Sequence, residues 1–346
     1  MIPYWIMFFL PVLGLVTSSP ASARNQRLPL VLLWLVFSLV IGLRYQVGGD
    51  WFSYINHLNV RSEMDFLAVI SGGDPGYYVI NWIVGNLGGG IYWVNTVCGM
   101  FLMLGIVRFS LNQPLVWLSI VVSVPYLIIV VGMGYTRQSA ALGLLLLGLV
   151  SLSNKNIRGF MFWTVLGATF HKSAVLMLPV AALASTSNRF WALFWGGVIS
   201  LVAAYFLVFD SAEQLWSNYV EAQYQSQGGL IRVVMNAVPA LLFLALSRRM
   251  DLSDAEKKLW FWMSMLSLAC IPLVMLSSTA TDRVALYLIP IQLFVFSHLP
   301  LVAREPRWRA AIALVVVCYY ATVQFVWLFF ASHSSAWLPY RALFSA

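Results

Sequence analysis

The chain reads as a succession of apolar runs separated by short polar connections. Runs dominated by Leu, Val, Ile, Phe and Trp fall at about 1 to 18, 28 to 43, 91 to 108, 114 to 132, 136 to 152, 159 to 185, 190 to 209, 230 to 247, 259 to 279, 284 to 302 and 310 to 332. Most approach the ~20 residues that a helix needs to cross the hydrocarbon core, and none alternates with the period of two expected of a barrel strand. In lipid each backbone N–H and C=O must be bonded within its own segment, so the runs predict helices. The pattern predicts an all-α, polytopic integral membrane protein forming a single membrane domain over residues 1–346. Composition agrees: 61% of residues are hydrophobic and 9% charged, against about 25% charged in a soluble domain.

The opening stretch "MIPYWIMFFLPVLGLVTSSPASARNQR" has the apolar core and small-residue site (Ala21-Ser22-Ala23) of a secretory signal. No Lys or Arg precedes Arg24, however, and Arg24 and Arg27 follow the apolar run, the reverse of a signal's charge order. It reads as a first membrane helix with its N-terminus outside. The net charge of +8 is dispersed over short connections and forms no basic face, which argues against nucleic acid and for positive-inside topology. Cys98, Cys270 and Cys318 stand alone in apolar runs without metal-like spacing.

Charge parity refines the topology. The run 159 to 185 is long for one span and short for two, and carries "HKS" at its centre. A single crossing puts the basic loops 248 to 258 and 304 to 309 outside, whereas two short helices meeting at His171 bring both inside. The expectation is therefore about 12 transmembrane segments, one pair short or broken around His171. Thirteen of the twenty Lys and Arg then lie in cytoplasmic turns, leaving Arg44, Arg61, Arg137, Lys172, Arg232, Arg283 and Arg341 outside. Asp50, Asp74, Asp282, His57 and His171 share that face, mostly on external segments at about 44–90 and 210–229.

Within "LRYQVGGDWFSYINHL", an amphipathic helix after Gly49 aligns Asp50, Tyr54, His57 and Arg61 on one stripe, with Trp51, Ile55 and Leu58 opposite. Asp50 suits either an N-cap or a catalytic carboxylate. Arg137 lies in a tight turn, and Arg283 opens "DRVALY", with Asp282 able to neutralise it and Tyr287 one turn on. His171 and Lys172 interrupt an apolar run, where ionisable groups are costly and usually face a cavity. Trp216, Tyr219 and Tyr224, among Gln and Asn, suit stacking on sugar faces but equally an interfacial aromatic belt. No HExxH, GxSxG, Walker or DxD motif occurs, and no cofactor or metal is expected.

The ordered motifs "R…VGGD…Y" (Arg44 to Tyr54), "DPGYY" (Asp74 to Tyr78), "GYTRQSAALG" (Gly134 to Gly143), "ATFHKSAVLMLP" (Ala168 to Pro179), "DRVALYL" (Asp282 to Leu288) and "WLPY" (Trp337 to Tyr340) resemble the EpsG family of Wzy-like polysaccharide polymerases across nearly the whole chain. The resemblance implies a GT-C-like glycosyltransferase of the bacterial inner membrane. Such an enzyme joins repeat units carried on undecaprenyl diphosphate at the periplasmic face, building O-antigen, capsule or exopolysaccharide. Its expected partners are undecaprenyl-diphosphate-linked oligosaccharide, membrane lipid, and a chain-length regulator and flippase of the same pathway. The usual Gly-Thr-Asp stands here as Gly48-Gly49-Asp50.

Transfer from a lipid diphosphate needs one base for the acceptor hydroxyl and cations for the leaving group, whereas a glycosidase uses paired carboxylates. The candidates are Asp50 or His171 as base, and Arg137 and Arg283, with Arg44, Arg232 or Lys172, for the diphosphate. Tyr54, His57, Trp216, Tyr219, Tyr224 and Tyr287 are the sugar-binding candidates. The rival readings are a flippase or transporter of the lipid-linked oligosaccharide, an O-antigen ligase and a membrane acyltransferase.

Overall fold

The computed structural model describes residues 1–17, 26–185 and 228–345. The expected span 190–209 and the aromatic residues Trp216, Tyr219 and Tyr224 lie outside the described residues. All regular structure among those residues is helical. In chain order come α1 (Ile2–Thr17), α2 (Arg27–Gly42), α3 (Trp51–Ser62), α4 (Phe66–Ile70), α5 (Pro75–Asn86) and α6 (Ile91–Leu111). Helix α7 (Val116–Ser123) runs through a π-helical stretch, Val124–Val131, into a last turn, α8 (Gly132–Gly134). After α9 (Thr136–Ser153) and α10 (Ile157–Phe170), a 3-10 turn (Lys172–Met177) leads to α11 (Leu178–Ser185). The remainder is α12 (Gly229–Leu246), α13 (Asp254–Leu276), α14 (Ser278–Leu288), α15 (Pro290–His298) and α16 (Pro306–Phe330).

Among the described residues six helices are long and apolar enough to cross a membrane, or seven if the bent pair Ser278–Leu288 and Pro290–Val302 forms one span. Four shorter apolar helices, Ile2–Thr17, Arg27–Gly42, Ile157–Phe170 and Lys172–Ala184, accompany them. Among the described residues these make six or seven long segments, with the four shorter ones, of the about twelve expected. Most of these helices follow the expected apolar runs within a few residues, and the run 159 to 185 divides at His171, whose extended backbone (φ −154°, ψ 111°) ends α10. The stretch expected to lie outside the membrane, 44 to 90, is built from the short helices α3, α4 and α5 rather than from loop.

Small residues set the closest helix crossings, as is usual where lipid tails give helices no hydrophobic reason to associate. A Cβ on Gly105 of α6 would strike the Gly143 carbonyl of α9, and one on Gly143 would strike the Phe101 carbonyl. Gly42 of α2 lies equally close to Thr96 of α6. At one end of the bundle the C-terminal segment closes over these helices. Tyr4 donates to the Trp337 carbonyl at 2.6 Å, and the Trp337 indole donates to the Ile129 carbonyl of the π-helical stretch at 3.1 Å. Gly48 N–H donates to the Ala336 carbonyl at 2.8 Å, and Tyr45 N–H to that of Arg341 at 2.9 Å. The segment that carries "WLPY" thus clamps the loop that carries "VGGD".

Gly48 sits at φ 102° with its α-carbon against the Met133 carbonyl, a position open only to glycine. Replacing Gly105 by Leu should destabilise the fold by at least about 2 kcal/mol, because neither backbone can yield. Gly73→Ala, with nothing within 4 Å of the added carbon, should leave the melting temperature in detergent unchanged. Equal melting of the two variants would refute the crossing.

Candidate functional site

The site is organised by one buried cation and a second, half-buried one. Arg44 follows α2 and has no exposed surface. Its Nη1 donates to the Ile41 carbonyl at 2.5 Å and its Nε to that of Val47 at 3.1 Å. Its Nη2 donates to Thr136 Oγ1 at 2.8 Å and to Asn95 Oδ1 at 3.3 Å. A cation here also suits the negative end of α2. Arg44 was expected to hold diphosphate, but its guanidinium is spent on internal acceptors from α2, α6, α9 and the "VGGD" loop. It fixes where Thr136, and with it Arg137, can stand.

Arg137 is half-buried, and its Nη1 donates to Asp74 Oδ2 at 2.7 Å. Asp74 precedes Pro75 at the start of α5 yet makes no capping bond. Its other oxygen instead accepts from the Lys172 backbone N–H at 3.2 Å. One carboxylate therefore ties Arg137 to the turn that follows His171. Burial raises the Asp74 pKa, with Arg137 and the Lys172 N–H opposing the shift. Arg137 shows 29% of its side chain to solvent against 7% for Asp74, so the carboxylate is the buried partner of the pair and the arginine stays partly open.

Asp50 stands at the N-cap position of α3 and makes no side-chain cap. Its backbone (φ −93°, ψ 12°) lacks the extended geometry that aims a cap oxygen at the helix N–H groups. The carboxylate is accessible, has no ion pair among the described residues, and lies within reach of Arg137's field. Surrounding protein desolvates it and raises its pKa, with Arg137 acting in the opposite direction.

His171 lies at the break between α10 and the 3-10 turn, with Nδ1 buried and unpartnered. Burial first, then the charges of Arg137, Arg283 and Lys172, lower its pKa to about 3. It is a neutral imidazole among cations.

The "DR" pair resolves unexpectedly. Asp282 does not neutralise its neighbour Arg283 but pairs with Arg232, which also donates from Nε to the Tyr126 hydroxyl at 2.6 Å. Arg283 is exposed and makes no hydrogen bond or ion pair among the described residues, while its charge acts on His171. Arg232 is buried and committed. Tyr135 feels Arg232, Asp282 and Asp50, linking this couple to the Arg137 side.

The expected stripe on α3 divides differently. Tyr54 buries with Trp51 and Leu58, while His57 and Arg61 are half-buried. Tyr54, at 4% exposure, and Tyr287, at 0%, have covered rings, so neither presents the open face expected for sugar stacking. Tyr287 instead shares a hydrogen bond with Ser173 at 3.1 Å. His57 stacks on Tyr78 with centroids 6.1 Å apart, and Arg61 lies 4.0 Å above the same ring. Burial, then Arg137 and Arg61, lower the His57 pKa. Lys172 contributes its backbone N–H to Asp74 and its charge to the field on His171.

Asp50, Asp74 and His171 share the field of Arg137, Arg283 also acts on His171, and Tyr126 and Tyr135 belong to the neighbouring couple of Arg232 and Asp282. Sequence reasoning grouped Asp74 with the external charges but gave it no role, and it missed Tyr126 and Tyr135. The one available signal was an aspartate at a helix start followed by Pro75.

A bundle of apolar helices that gathers arginines, carboxylates and a neutral histidine at one end defines an integral membrane protein with a site suited to anionic, hydroxyl-bearing substrates. The model of the EpsG family matches residues 27–342, and the chain belongs to that family, which is related to the Wzy-like polymerases. No curated protein and no solved structure matches the chain.

The brace provided by Arg44 is open to test. Arg44→Ala takes the donor from four acceptors, of which Asn95 Oδ1 alone keeps another, the Thr136 hydroxyl at 3.2 Å, and should cost at least about 3 kcal/mol of stability. Arg44→Lys should recover only part of that, since an ammonium cannot span the fork. Thermal unfolding of the purified variants would read both, and a wild-type midpoint for Arg44→Ala would overturn the assignment.

Proposed function

We propose that this protein is a polysaccharide polymerase, a glycosyltransferase that moves a glycan from undecaprenyl diphosphate to a hydroxyl of a second lipid-linked repeat unit. The observation that carries this reading is that an accessible carboxylate, Asp50, and the neutral His171 both lie in the field of Arg137, with Arg283 also acting on His171. Membership of the EpsG family supports it. The reaction is assigned to the periplasmic face of the bacterial inner membrane. On the same reading, Arg44, Arg61, Arg137, Lys172, Arg232, Arg283 and Arg341 lie there, and the chain crosses about twelve times with a GT-C-like arrangement.

In this mechanism the acceptor hydroxyl oxygen attacks the anomeric carbon and its proton passes to the Asp50 carboxylate. The bond from that carbon to the diphosphate oxygen breaks on the opposite face, inverting the configuration and releasing the lipid diphosphate. Arg137, aimed by Asp74, and Arg283 meet the charge that develops on the leaving group through charge-assisted hydrogen bonds. The diphosphate is weakly basic and needs no proton from an acid, and the arginines take the part that a metal plays elsewhere. Asp50 rather than His171 is the base, because an imidazole with a pKa near 3 holds a proton poorly at neutral pH. His171 is instead a neutral hydrogen-bonding group for the sugar or a phosphoryl oxygen.

The test is elongation of a purified lipid-linked repeat unit by the protein in nanodiscs. Arg137→Ala and Arg283→Ala should each lower kcat by about 10²-fold or more, with Lys partly restoring it. Asp50→Asn should lower it by about 10²–10⁴-fold. Normal elongation by these variants, or unchanged glycans from the wild type, would refute the reading.

The pH profile offers a separate check. Asp50 works ionised, so activity should rise with pH through an acid limb above the ordinary aspartate value of 3.8. No second step should appear near 6.5, because His57 and His171 both titrate below it. A limb that disappears in His171→Gln and persists in Asp50→Asn would reverse the assignment of the base.

A further inference from the structure

A cavity of about 370 Å³ lies at the end of the bundle opposite Arg137. Arg137 opens α9 and Asn154 follows its end, so roughly 25 Å of helix separates the cavity from the polar site. Its lining joins the ends of α6 and α9 to the start of α13 and to Phe294 of α15.

The chemistry of that lining is lopsided. Phe109 and Phe294, each 1% exposed, give it an apolar floor, and the Phe294 ring is itself packed between Trp260 and His298, with 4.2 Å between centroids in each case. Asn112 and Asn154 each spend their NH₂ on a carbonyl four residues back, Arg108 at 2.8 Å and Val150 at 2.9 Å. Their side-chain oxygens are what remains for a ligand. Two helices also end here, adding the partial negative charge of their C-termini. Glu256 uses one oxygen on Ser253, at 2.9 Å to the backbone N–H and 2.7 Å to the hydroxyl, and leaves the other without a hydrogen bond among the described residues. Lys155 lines the same cavity and makes no ion pair with Glu256.

Acceptor oxygens around an apolar floor call for an ammonium with N–H groups to donate. An unpaired lysine on the same rim calls for an anion a short distance away. We propose that this cavity binds a zwitterion of the phosphoethanolamine type, its ammonium held by Glu256 and the asparagine oxygens, its phosphate by Lys155. A quaternary ammonium has no N–H to give, and a phosphoglycerol has no cation, so both are discriminated against. The same chemistry is offered by a membrane lipid head group and by a water-soluble phosphodiester. The site does not depend on the polymerase reading.

Binding to the full-length protein in detergent micelles, read by native mass spectrometry and by tryptophan fluorescence, tests the proposal. Phosphatidylethanolamine should bind at least about tenfold more tightly than phosphatidylcholine or phosphatidylglycerol. Glu256→Gln keeps the helix cap, because glutamine serves the same capping box, and should abolish that preference. Lys155→Ala should weaken phosphatidylethanolamine binding. Competition by glycerophosphoethanolamine would show that the free head group suffices, and binding of the intact lipid alone would assign the ligand to the bilayer. Equal affinity for the three lipids, or undiminished phosphatidylethanolamine binding in both variants, would overturn the proposal.

Discussion

A guanidinium sealed from solvent has to be met by acceptors on every side, and Arg44 shows how much architecture follows from that demand. Its four acceptors come from the end of α2, the loop leading to Asp50, the second turn of α6 at Asn95 and the first turn of α9. None is a carboxylate, so the charge is carried by dipoles and by the C-terminus of α2. Such a group is expensive to bury and more expensive to misplace. The elements that satisfy Arg44 are therefore held in one arrangement, and two of them carry Asp50 and Arg137.

The arginines divide by their partners. Arg44 and Arg232 are buried and fully engaged, the second by Asp282 and Tyr126. Arg137 is braced by Asp74 while staying partly open, and Arg283 is exposed. This gradation from sealed to open separates cations that build the scaffold from cations that can meet a ligand. Charge count alone cannot make that distinction. The field of the open pair also explains the neutral His171, since three cations and burial all disfavour its protonated form.

What was legible in the sequence was mostly what a single helix or run determines. The apolar runs, the break at His171 and the gathering of leftover cations follow from local hydropathy and charge order. Partner choice was not legible. Asp282 and Arg283 are adjacent, but successive helix positions point about 100° apart, so the neighbour in sequence is not the neighbour in space. Asp74 meets Arg137 across 63 residues, and its place before Pro75 looks like an ordinary helix start. Tyr54 was assigned to the polar stripe because a tyrosine fits either side of an amphipathic helix, and packing against Tyr77 decided the matter. Asp50 could have been a cap until its backbone angles were known.

The clamp between residues 336–343 and the "VGGD" loop carries a meaning for biogenesis. Gly48 is held by Ala336, Tyr45 by Arg341 and Leu43 by Leu343, so the loop bearing Asp50 gains its final backbone partners only from residues inserted after α16. During synthesis the earlier helices can pack and Arg44 can find its acceptors, yet the loop stays without its clasp. Completion of the polar site is thereby tied to the arrival of residues 336–343, long after the loop they clasp has been made.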